Sequence, residues 1–140
     1  MSTYLGMSEA VSLGIHSMLL LAKNPAEGLN LVTMANSLNA SEAHLAKVMQ
    51  RLRKSGMISA LRGPGGGYKL LFPPENISLL QIYEAIDGPF KFEENHCRCP
   101  VSPCKINKLL HEMACHFFDY LKNNTLASVI NESQKEVRQK

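Results

Sequence analysis

The sequence predicts a mostly α-helical fold: two short helices, a small hairpin, and a long helix towards the C-terminus. Three observations carry that expectation. Gly63-Pro64-Gly65-Gly66-Gly67 cannot lie inside a helix or strand, because glycine loses the most backbone freedom on ordering and proline has no N–H to donate. The flanks Met57–Leu61 and Tyr68–Phe72 read as short strands, so the glycine run is a hairpin tip with Arg62 and Tyr68 at its base. On both sides of it, apolar residues recur at three- and four-residue steps, the helical period.

The elements follow in order. Ser8 to Lys23 reads as a helix, with Val11, Ile15, Met18 and Ala22 on one face, Ser8 as its cap and Asn24-Pro25 as its stop. After a turn at Glu27-Gly28, Leu31 to Leu38 forms a short helix that ends near Asn39. Ala40-Ser41 opens a third, running to Lys54, with Leu45, Val48, Met49 and Leu52 inward and Gly56 closing it. Two such helices joined by a tight turn, then a hairpin, make a winged helix-turn-helix. Pro73-Pro74 ends the second strand, Ser78 caps a helix over Leu79–Ile86, and Asp87-Gly88-Pro89 stops it. Phe90 to Pro103 has no period and holds three cysteines. From Lys105 to Asn124 a long helix returns, with Ile106, Leu110, Met113, Phe117 and Leu121 as a stripe that Leu109, Phe118 and Tyr120 widen. A stripe this aromatic is either core or a dimer seam. The seam is favoured, because palindromic DNA sites are read by two-fold dimers and this helix lies outside the winged unit. The tail after Glu132 reads as polar and frayed.

At 140 residues the chain is one domain. No apolar run reaches bilayer length and no leader pattern opens the chain, so a cytoplasmic protein is expected, with no membrane role. The net charge of +3 is small, but its distribution is uneven. Between Ser41 and Lys69 stand Lys47, Arg51, Arg53, Lys54, Arg62 and Lys69 against the single acid Glu42. A local positive field suits double-stranded DNA. A phosphate-cradling nucleotide loop is excluded, since no helix with Lys-Ser/Thr opens after the glycines. An enzyme using a cysteine nucleophile is disfavoured, because no base is spaced for one.

In a helix-turn-helix the start of the second helix enters the major groove. Here that start is Ser41 to Lys47, with Gln50 and Arg51 one turn on. His44, Lys47 and Arg51 are the candidate outward DNA-binding positions, with Ser41 and Ala43 near the tip: Lys47 can donate to guanine edges, His44 to an acceptor, and Ala43 can pack against a thymine methyl. Arg53 and Lys54 are assigned to phosphates. Arg62 with Gly63, Gly65 and Gly66 is assigned to the minor groove, which draws arginine where it is narrow.

Leu52-Arg53-Lys54-Ser55-Gly56-Met57-Ile58, the run from Arg62 to Tyr68, Ala85-Ile86-Asp87-Gly88-Pro89-Phe90, the cysteines after it and Thr125-Leu126-Ala127 together resemble the signature of the Rrf2 family of bacterial winged-helix regulators. The resemblance spans about Leu13 to Ile130. It implies a homodimeric transcription regulator, usually a repressor, on a palindromic operator. Many members carry an iron–sulfur cluster that senses iron, nitric oxide or redox state. The plan that follows is a winged helix-turn-helix DNA-binding domain over residues 1–90, a cysteine-bearing sensor loop over 91–104, a dimerisation helix over 105–130 and a polar tail over 131–140.

The four cysteines are Cys97, Cys99, Cys104 and Cys115. Clustered thiols in a reducing compartment point to metal or redox chemistry, and thiolates are the soft ligands of iron–sulfur clusters and of zinc. Cys97, Cys99 and Cys104 are the candidate ligands of a two-iron or four-iron cluster. A structural zinc site and metal-free thiols both stay open, and with them a cluster-free regulator of the same fold acting through thiol oxidation, structural zinc or a partner protein. The family's cluster-bearing members space three cysteines about five residues apart; Cys104 and Cys99 fit the last and middle places, whereas Cys97 is closer than the usual first ligand. The resemblance further implies a fourth ligand from the first helix of the partner subunit. Glu9, Ser12 and His16 share a face there; the acid of some relatives aligns with Ser12, and the histidine of some two-iron members aligns with His16. His111 and Cys115 on the long helix, and His96 beside the loop, are further possible ligands outside this set.

Overall fold

The computed structural model describes residues 6–92 and 105–139. The elements in chain order are α1 (Glu9–Lys23), α2 (Leu31–Leu38), α3 (Glu42–Lys54), β1 (Ile58–Leu61), β2 (Gly67–Leu70), a 3-10 turn (Pro74–Asn76), α4 (Leu79–Asp87), α5 (Lys105–Asn123) and α6 (Leu126–Arg138). The mostly helical class with one small hairpin is as the sequence predicts.

Local chemistry sets the helix starts. The Ser8, Asn30 and Ser41 side chains accept hydrogen bonds from the N–H groups of Val11, Thr33 and His44, satisfying donors that a first helical turn leaves free. At Ser78 the cap is reciprocal: its hydroxyl accepts from the Gln81 N–H while the Gln81 side chain accepts from the Ser78 N–H. α2 ends at Asn39, left-handed at φ 49°, and the α2–α3 turn follows at once.

α1 lies at the centre, with α2, α3, α4, α6 and β2 packed around it. Val11, Met18 and Leu21 of α1 close on Met34 of α2 and on Leu45, Val48, Met49 and Leu52 of α3, all essentially without solvent contact. Ile58, Ile77, Ile82, Leu121 and Leu126 complete the same core. The four α3 residues are those the helical period put inward, so the opposite face of α3 is free.

The hairpin is antiparallel, with Ile58 opposite Leu70 and Leu61 opposite Gly67. A third backbone segment joins it. Tyr68 N–H donates to Leu29 O at 2.8 Å and Leu29 N–H donates to Tyr68 O at 3.1 Å, pinning the hairpin to the approach to α2. A side chain on Gly67 would collide with the Leu29 and Asn30 backbone, so that glycine is required by packing.

The C-terminal region differs from the sequence expectation. The helix read over Lys105–Asn124 is α5, but the plan's 105–130 unit is not one helix: the chain breaks at Asn124 and restarts as α6, which includes most of the tail read as frayed after Glu132. The chain there is taken up by the segment ahead of α4: Leu79 N–H donates to Asn124 O at 2.9 Å and Leu126 N–H to Ile77 O at 3.0 Å. Thr125 then caps α6, exchanging hydrogen bonds with Ser128, and Leu126 is buried. Thr125-Leu126-Ala127 therefore opens a helix. The polar tail is helical to Arg138.

Candidate nucleic-acid interface and sensor region

With Leu45, Val48, Met49 and Leu52 inward, the 3.6-residue period sets Ala43, Lys47, Gln50 and Lys54 in one outward row on α3, and all four are exposed. Ser41 spends its oxygen as the α3 cap, 3.1 Å from the His44 N–H, which fixes the start of this row. Glu42 in the first turn and Arg51, Arg53 and Lys54 in the last complement the helix dipole, so acid and base separate along one helix. His44 is half-buried and stands on a flank of the row. Gln50 is the residue that the sequence assignment left out. Its signal was present in the period itself, since it follows Lys47 by three and precedes Lys54 by four.

Arg51, read from the sequence as an outward position, has a partner within the protein. Its Nη1 donates to the Ile86 carbonyl at the end of α4 at 2.9 Å, so the guanidinium folds back onto the protein. Arg53 and Lys54 are exposed, as phosphate binding would need.

The hairpin tip holds Arg62, Gly63, Pro64 and Gly65 in solvent. Gly66 N–H donates to Gly63 O at 2.8 Å, closing the tip as a tight turn. Gly63 and Gly65 have φ of 100° and 96°, a region that disfavours any side chain. The tip glycines are thus needed for the turn as well as suited to close approach to a backbone.

Cys97, Cys99 and Cys104, with His96, lie outside the described residues. Among the described residues no three of His, Cys, Asp and Glu come together as a metal site. His16 is exposed on α1, and its Nδ1 lies 2.7 Å from the Ser12 carbonyl. A carbonyl only accepts, so Nδ1 is the donor in this contact, and Nε2 is the ring nitrogen turned to other partners. His16 also lines an open groove of about 610 Å³ with Glu9 and Ser12 on one side and Ser37, Asn39 and His44 on the other. The α1 face and the start of α3 therefore border one space. Cys115, half-buried, has its Sγ 3.6 Å from His111 Nε2.

The approach to the cysteine segment is built from aromatic side chains. Phe90 stacks within 5.2–5.9 Å, ring centre to ring centre, of Tyr83, Phe92, Phe117 and Phe118. Burial, helped by the neighbouring Asp87 charge, raises the Tyr83 phenol above its usual pKa. The sequence reading placed Phe117 and Phe118 in a helix stripe and missed this cluster, because its other members come from α4 and the segment after it.

α5 carries the opposite feature. Ile106, Leu109, Leu110, Met113 and Tyr120 are each more than half exposed and lie on one side of the helix. Only Leu121 of α5 is buried, and Phe117 is half-buried in the aromatic cluster.

A family model described as Rrf2, an iron-dependent transcriptional regulator, matches residues 7–132. The chain is 29% identical over 120 residues to the HTH-type transcriptional regulator NsrR of Bacillus subtilis (strain 168), covering 82% of each. Among solved structures it is similar to CymR, the global cysteine regulator of B. subtilis, with a TM-score of 0.77 and 26% identity over 94% of this chain and 98% of that one. It is also similar to T. potens IscR, with a TM-score of 0.75 and 25% identity over 92% and 88%.

Proposed function

The chain belongs to the Rrf2 family of transcriptional regulators, and from that premise we propose that it is a repressor that binds a palindromic operator in the cytoplasm as a homodimer. The observation that carries this reading is the outward row Ala43, Lys47, Gln50 and Lys54 on a helix whose other face is fully buried. Two such helices, one per subunit, would enter successive major grooves. The hairpin tip with Arg62 would follow the adjacent minor groove. The bare apolar side of α5 supports the dimer, since five large side chains in solvent need cover.

Lys47→Ala is expected to weaken binding mainly at the cognate operator. Lys54→Ala should weaken operator and random DNA alike and flatten the salt dependence by a slope of about 0.9. Equal effects of the two changes on both kinds of DNA, measured by fluorescence anisotropy across salt concentrations, would refute this division of roles.

The regulatory signal is read by the cysteines. Cys97, Cys99 and Cys104 with His16 of the partner subunit would hold an iron–sulfur cluster, and the Nδ1 contact to Ser12 O, which leaves Nε2 as the ring nitrogen for a ligand, suits that task. When bound, the cluster supplies a redox- and nitric-oxide-sensitive centre. The chain's own part is to present thiolates and an imidazole oriented by the hydrogen bond that its Nδ1–H donates to Ser12 O. Anaerobically purified protein should contain iron and acid-labile sulfide, and Cys104→Ala should lose both. A second reading is thiol sensing without a cluster, and the similarity to CymR, described as a cysteine regulator, favours it. Protein without sulfide whose operator binding still responds to thiol oxidation would select that reading, and one zinc per subunit would make the site structural.

A further inference from the structure

Arg51 reaches across 35 positions to donate to Ile86 O. Among the described residues this is the one side-chain hydrogen bond between α3 and α4. The acceptor sits in the last turn of α4, whose final carbonyls have no partner within the helix and form the negative end of its dipole. A guanidinium is well suited to that place: it stays charged, and its donors are fixed in a plane.

The same turn of α4 is tied down from its other side. Gly88 N–H donates to Glu84 O at 3.0 Å, and Phe90 N–H donates to Glu84 Oε1 at 3.0 Å. Phe90 then enters the aromatic cluster, and the chain continues into residues 93–104. One bond from α3 therefore meets the turn that starts the cysteine segment. On α3 itself Arg51 stands about 70° round the helix from the centre of the outward row, at 100° per residue. Its direction is away from the row and towards α4.

We propose that Arg51 is a positioning residue for DNA reading: it fixes the DNA-facing row of α3 against the end of α4 and does not itself touch DNA. The proposal rests on the DNA-binding reading above. It separates Arg51 from Arg53 and Lys54, whose exposed cations act on phosphate directly.

The test uses the full chain with Arg51→Met, which keeps an apolar stem but removes donor and charge, and Arg51→Ala as a second variant. In the free protein, amide exchange at Gly88 and Phe90 should quicken roughly tenfold as one charge-assisted bond is lost. Operator affinity should fall roughly tenfold, random DNA should bind as before, and the salt slope should match that of the wild type. A slope shallower by about 0.9 with equal loss on random DNA would make Arg51 a phosphate contact and overturn the proposal. Unchanged exchange, or unchanged operator affinity, would overturn it too. Wild-type protein that bound operator and random DNA alike would defeat the DNA-reading proposal first, and the role of Arg51 in it; the exchange measurement would still tell whether the clasp on α4 exists.

Discussion

α3 and α5 are both amphipathic helices, yet one has its apolar side covered and the other does not. Leu45, Val48, Met49 and Leu52 of α3 are at most 1% exposed, whereas Ile106, Leu109, Leu110, Met113 and Tyr120 of α5 are all above 50%. Periodicity says which side of a helix must leave water. It does not say which molecule supplies the cover. For α3 the cover is α1, α2 and α4 of the same chain, and the exposed side is left polar and basic. For α5, among the described elements, the main cover is α4, through the end that holds Phe117 and Leu121. The remaining apolar side is the surface on which a second copy would sit.

The largest expected effect breaks α5. Leu110→Asp with Met113→Asp places two charges per subunit in the proposed seam. Each fully buried side chain of this kind contributes about 1.5–3 kcal/mol, so four losses across a two-fold interface weaken it by about 6 kcal/mol or more, roughly 10⁴-fold in Kd. Sedimentation equilibrium should show a dimer become a monomer, and operator binding should fail with it. An unchanged mass would mean that α5 is not the seam.

A smaller effect sharpens the same contrast within the dissociated variant. Leu45→Ala should lower its unfolding free energy by about 2–5 kcal/mol, since the loss combines transfer and cavity terms in a core with no solvent contact. Leu109→Ala should change it by less than about 0.5 kcal/mol, because that side chain already faces water. Urea unfolding of both reads the difference directly, and similar losses would show that α5 packs on its own chain.

What was legible in the sequence was what short-range chemistry decides. Ser8, Ser41 and Ser78 cap their helices because a hydroxyl three residues ahead of a free N–H needs no help from the rest of the chain. The glycine hairpin and the inward side of α3 were legible for similar reasons. The end of the long helix near Asn124 was legible too, but the restart as α6 was not, because residues 77–79, far off in sequence, take up the backbone groups on either side of Thr125. Nor was the direction of Arg51: its position on α3 reads as outward, but a free carbonyl at the end of α4 captures it. The outward row of α3 holds Gln50, whereas Arg51 turns towards α4. Of the candidate ligands, His16 is seen to be set by Ser12 one turn away, while Cys97, Cys99 and Cys104 fall outside the described residues.

The smallest effect concerns the aromatic cluster that joins the two regions. Tyr83 sits between Phe90 and Phe117, and its phenol is shifted above 10.0, first by burial and then by the Asp87 charge. Both causes disfavour the phenolate in the folded chain more than in the unfolded one. A raised folded pKa gives a contribution to stability that is fully present below pH 10 and is lost as pH rises through the shifted value. The wild type should therefore lose stability above pH 10 more steeply than Tyr83→Phe, which keeps the ring but has no proton to release. Below pH 9 the two should differ by a nearly constant amount. Urea midpoints measured from pH 8 to pH 11 would read this, with absorbance at 295 nm following ionisation; the late-titrating component should vanish in Tyr83→Phe. Parallel loss of stability in both proteins would show that the phenol ionises as readily in the folded chain as in the unfolded one, and that the cluster does not raise its pKa.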